Sequence, residues 1–97
     1  MPLIVVLEDD SSTRVLVSAV LRKEGYDVMV AEDGGRGLEL IAQHRPDLII
    51  SDIQMPVMDG FGVMQAVRAD PATATTPIIL LTSLQDRANM RHGMTRG

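Results

Sequence analysis

The chain has no cysteine and no tryptophan, and Tyr26 and Phe61 are its only aromatic residues. Without cysteine there is no disulfide framework and no thiolate metal site, which suits a reducing compartment. Basic runs are also missing, the formal net charge is −4 and the single lysine is Lys23. With neither a basic stripe nor aromatic stacking platforms, direct nucleic-acid binding by this chain is not expected. No apolar stretch approaches the roughly 20 residues of a membrane span. The start, Met1-Pro2-Leu3-Ile4, lacks the basic lead and small-residue cleavage site of a signal peptide, so a cytoplasmic location is expected. What remains is an ordinary globular balance, 45% apolar and 23% charged over 97 residues, enough for one domain. Its core must be aliphatic, drawn from Val, Ile, Leu and Met.

No repeat or low-complexity block interrupts the chain; it alternates instead. Short apolar runs occupy 3–7, 28–31, 48–50 and 78–81. Runs this short and this apolar predict strands buried on both faces, as in a parallel sheet. Helical patterns separate them. Ser11 or Ser12 can cap the first, whose apolar stripe is Leu16, Val17, Val20 and Leu21 and whose stop is Gly25. Asp33 can cap the second, with Leu38, Ile41 and Ala42 inward, Pro46 just past its end, and Gly34, Gly35 and Gly37 weakening it locally. Asp59 can cap the third, which carries Val63, Met64 and Val67 and exits at Asp70-Pro71. After Ser83 a weak helical pattern holds Leu84, Ala88 and Met90. Strand and helix alternating in this way predict an α/β fold with right-handed crossovers. Sites in such folds lie at the carboxyl ends of the strands.

Three of those ends carry polar groups: Glu8-Asp9-Asp10, Asp52 and Thr82-Ser83. Parallel strands would gather them on one edge, where clustered carboxylates raise one another's pKa and a hard divalent cation such as Mg²⁺ would relieve the repulsion. An aspartate in such a setting can attack phosphorus and form an acyl phosphate, provided charge on the phosphoryl oxygens is neutralised. Thr82 could donate a hydrogen bond to one of those oxygens. The plainer reading, solvated loop acids, suits Asp10, which can help to cap the following helix. His44 falls in the last turn of the second helix, where a cation is welcome, and His92 is assigned no role. The methionines are mostly core filler.

Four segments together resemble the receiver domains of bacterial response regulators. They are Ile4-Val5-Val6-Leu7-Glu8-Asp9-Asp10, Pro46-Asp47-Leu48-Ile49-Ile50-Ser51-Asp52, Met55-Pro56-Val57-Met58-Asp59-Gly60 and Pro77-Ile78-Ile79-Leu80-Leu81-Thr82-Ser83. The resemblance implies a flavodoxin-like three-layer sandwich with strand order 2-1-3-4, four of the family's five β/α units. It implies Asp52 as phosphoacceptor, Mg²⁺ bound directly by Asp9 and Asp52 and through water by Glu8, with the backbone carbonyl of Gln54 as a further ligand. Thr82 would contact the phosphoryl group and relay its presence to the surface of the last helix. The phosphodonor would be a histidine kinase or a phosphotransfer protein.

The family's fifth strand carries a lysine and usually an aromatic switch residue, and neither has a counterpart in these 97 residues. The whole chain is therefore expected to be one receiver domain, incomplete at its C-terminal end. Its fourth strand would then form an open edge beside an uncovered sheet face, and both invite self-association. Three readings compete. The chain is a phosphorylation-controlled signalling module, not an enzyme in the ordinary sense; or a scaffold that keeps the fold without the switch; or a Mg²⁺-dependent phosphohydrolase. Such hydrolases place a second acid two residues after the nucleophile, where this chain has Gln54.

Overall fold

A computed structural model describes residues 1–81; Thr82, His92 and the expected last helix lie outside the described residues. Within them the chain runs β1 (Leu3–Leu7), α1 (Ser11–Lys23), β2 (Asp27–Ala31), α2 (Gly34–His44), β3 (Leu48–Asp52), α3 (Gly60–Ala69) and β4 (Ile78–Leu81). The strands pair in the order β2-β1-β3-β4, all parallel, as the resemblance implied. Register sets Val6 of β1 between Val30 and Ile50 and Asp52 beside Leu81. The carboxyl ends of β1, β3 and β4 therefore share one edge.

Side chains alternate across a strand, and β1 shows the consequence. Val5 and Leu7 face one way, into a core with Ala31, Leu40, Ile41, Ile49, Val63 and Val67. Ile4 and Val6 face the other way and pack with Ile50, Val17 and Leu21. With α2 and α3 on one face and α1 on the other, the sheet is the middle of three layers.

The helix starts follow local chemistry. Asp33 and Asp59 cap as expected, each carboxylate accepting from an N–H at 2.8 Å, that of Arg36 and that of Gly62. The α1 cap is Asp10, which accepts from the Thr13 N–H at 2.8 Å; Ser11 and Ser12 already lie inside the helix. α1 ends in a turn through Gly25 at φ 95, where its N–H donates to Arg22 at 3.0 Å. Only a residue without Cβ adopts that conformation freely.

Two helical stripes differ from the expectation. In α1, Val17, Ser18 and Leu21 face the sheet, while Leu16 and Val20 are 64% and 54% exposed. α1 lies over β1 and β2, so the flank carrying Leu16 and Val20 looks past them. In α2, Leu40 and Ile41 are buried and Ala42 is exposed. The phase was hidden by glycine: Gly34 and Gly37 continue the buried face, and a Cβ on Gly34 would meet the Met58 backbone.

Ile79 and Leu81 are 48% and 38% exposed, and β4 is the outer strand among the described residues.

Candidate functional site

β1 and β3 are neighbours, yet β1 leads through α1 to β2 on its other side. The chain thus changes direction between β1 and β3, and a crevice opens at their carboxyl ends. Glu8 and Asp9 follow β1 and Asp52 ends β3, so all three acids reach this crevice. One carboxylate oxygen from each lies within 4.8 Å of the others.

Their environments differ. Glu8 is buried, with 7% of its surface exposed; Asp52 is half-buried and Asp9 exposed. Burial pushes the Glu8 carboxyl up from 4.5 to about 7, reinforced by the charge of Asp52 and a hydrogen bond shared with it. The Asp10 N–H, 3.3 Å from Glu8 Oε1, pulls weakly the other way. Asp10 takes no place among the three acids. Its carboxylate accepts from both the Thr13 hydroxyl, at 2.7 Å, and the Thr13 N–H, which holds its pKa below the usual range.

The segment after β3 is held close to the sheet. Ile53 donates to Leu81 at 3.1 Å and accepts from Gly60 at 2.8 Å. Gly60 is required here by close approach, since a Cβ would sit 2.6 Å from the Asp52 carbonyl oxygen. Between them the chain makes a tight turn in which Met58 N–H donates to Pro56 at 2.8 Å and Val57 has φ 71. A β-branched residue at positive φ is strained. Gln54 lies in this segment with its side chain exposed. Thr82, the fifth residue expected at the site, lies outside the described residues; its neighbour Leu81 pairs with Asp52.

Sequence reasoning missed Arg14. Its Nη1 donates to the Glu8 carbonyl at 2.9 Å and reaches the Asp9 carbonyl at 3.5 Å. The signal was its place four residues after Asp10, one helical turn from the acids.

The model of the response regulator receiver domain matches residues 4–97. The chain belongs to this family. It is a receiver domain of the two-component signalling type. It is 41% identical over its full length to the DNA-binding dual master transcriptional regulator RpaA of Synechocystis sp., and spans 40% of that protein. Among solved structures it resembles the chemotaxis response regulator CheY4 of Vibrio cholerae, with TM-score 0.85 and 37% identity over all of this chain and 81% of that one. It also resembles the receiver domain of the sensor histidine kinase PA1611 from Pseudomonas aeruginosa, with TM-score 0.82 and 31% identity over 86% of this chain and 68% of that one. In that structure a magnesium ion is coordinated in the active-site cleft. No described helix is long and apolar enough to cross a membrane.

Proposed function

We propose that this receiver domain accepts a phosphoryl group on Asp52 from a histidine kinase or phosphotransfer protein, and passes the signal on as a change in affinity for a partner. The observation that carries the reading is the convergence of Glu8, Asp9 and Asp52 within 4.8 Å at the β1–β3 crevice. In the transfer, an Asp52 carboxylate oxygen forms a bond to phosphorus. The phosphorus–nitrogen bond of the donor phosphohistidine breaks, and the imidazole keeps the electron pair and takes up a proton.

The donor set fits Mg²⁺. It consists of hard oxygen ligands, and the Asp52 charge that adds to burial in raising Glu8 is what a divalent cation would offset. Asp9 and Asp52 would bind the ion directly, Glu8 through water, and the Gln54 backbone carbonyl would complete the protein ligands. When bound, the ion neutralises charge on the phosphoryl oxygens. Thr82 follows the Asp52-paired Leu81 in sequence and would donate to a phosphoryl oxygen. The domain assists its own phosphorylation and slow dephosphorylation without being an enzyme in the usual sense.

We read all 97 residues as one receiver domain, working in the cytoplasm. By themselves they self-associate through the β4 edge and the sheet face that carries Ile79 and Leu81. A monomer at high concentration in analytical ultracentrifugation refutes that contact. For Asp52 the test is incubation with a small phosphodonor and Mg²⁺. A base-labile adduct on the wild type that disappears in Asp52→Asn supports the phosphoacceptor. No adduct, with partner binding intact, favours a scaffold. Steady turnover of a phosphate ester favours a hydrolase.

A further inference from the structure

We propose that Arg14 is a positioning residue for the acidic site, holding the Glu8 carbonyl so that the turn aims the Glu8 and Asp9 carboxylates at Asp52. This rests on the proposed Mg²⁺ site and concerns how it is kept in shape.

The turn from β1 to α1 is short and carries two acids that repel Asp52. Several contacts hold it. The Glu8 N–H donates to the Ala31 carbonyl at 3.0 Å, which anchors the turn to β2. The Asp10 carboxylate caps α1 through Thr13. The Asp10 N–H also meets Glu8 Oε1 at 3.3 Å, a long contact. The Glu8 carbonyl lies between these anchors, and its partner is the Arg14 guanidinium at 2.9 Å, with the Asp9 carbonyl at 3.5 Å from the same nitrogen. A guanidinium is planar and always charged, so it holds a carbonyl in a defined direction. Its base is α1, a regular helix packed on the sheet through Val17 and Leu21. Arg14 thus links the turn to a rigid element, the kind of outer support that orients metal ligands.

Charge and geometry make opposite predictions here, and that separates them. A cation beside a cation site repels Mg²⁺, so if Arg14 acted by charge alone, removing it would tighten Mg²⁺ binding. A brace does the reverse: its removal lets the turn wander and weakens binding.

The test is Mg²⁺ titration of the wild-type chain, Arg14→Gln and Arg14→Lys, followed by calorimetry and by the amide NMR shifts of Asp9 and Asp52. Urea unfolding in chelator serves as a check on the fold. Arg14→Gln is expected to bind Mg²⁺ about tenfold more weakly, and Arg14→Lys, which keeps a donor, to recover part of that loss. Binding by Arg14→Gln as tight as the wild type or tighter overturns the brace while leaving the Mg²⁺ site standing. Weaker binding by Arg14→Gln matched in full by Arg14→Lys also overturns it. A wild-type chain that binds no Mg²⁺ overturns the site reading itself and the brace with it.

Discussion

Glu8 makes the stability of this domain depend on pH in a direction opposite to that of most surface acids. Its carboxyl is raised from 4.5 to about 7 in the folded chain, so the folded state holds this proton more tightly than the unfolded state. Stability from this residue is therefore fully present below about 4.5 and is lost as pH rises toward 7. At about 1.4 kcal/mol for each pH unit of displacement, the full loss is roughly 3–4 kcal/mol, a large share of the roughly 5–15 kcal/mol that holds a domain together. Glu8→Gln removes the ionisation and keeps the shape. Urea unfolding of both chains in chelator, at pH 5 and pH 8, reads the effect of Glu8 and its carboxylate neighbours, because titrating groups away from the cluster cancel in the difference. The variant is expected to gain about 2–3 kcal/mol over the wild type between the two pH values. Saturating Mg²⁺ at pH 8 should return about 2.7 kcal/mol to the wild type at a hundred times its dissociation constant, and much less to Glu8→Gln. A wild-type-minus-variant difference that stays constant with pH would refute the reasoning.

Two further changes probe the loop that follows Asp52. Gly60→Ala places a Cβ 2.6 Å from the Asp52 carbonyl oxygen and 3.0 Å from Ile53 Cα, so urea titration should show a loss of about 1–3 kcal/mol; an unchanged midpoint counts against that close approach. Val57→Asn relieves a β-branched residue held at φ 71 and 84% exposed, and should raise the thermal midpoint through a gain of about 1 kcal/mol, whereas a lower midpoint means that the valine makes contacts worth more than its strain.

Much of this molecule was legible along the chain. Each strand is a run of apolar residues that can be buried on both faces, and each of 3–7, 28–31, 48–50 and 78–81 became one, with Ser51 and Asp52 extending β3. Asp33 and Asp59 announced their helices because capping is a local contact between a carboxylate and an N–H three residues on. Glu8, Asp9 and Asp52 were candidates because acids directly after buried runs stand at strand ends. The resemblance to receiver domains supplied the strand order, which periodicity alone does not contain.

The tertiary structure decided what depends on neighbours distant in sequence. Leu16 and Val20 read as core, but α1 lies over β1 and β2 and turns them away. Gly34 and Gly37 read as a weak stretch, although they are the buried face of α2. The sequence did not rank the three acids by burial. Packing made Glu8 the buried one, left Asp9 exposed and set Asp52 between them, so it is the Glu8 carboxyl that is pushed up. A sequence specifies which groups ionise and where the chain turns; desolvation depends on everything that folds around a group, and only the assembled sheet and helices determine it.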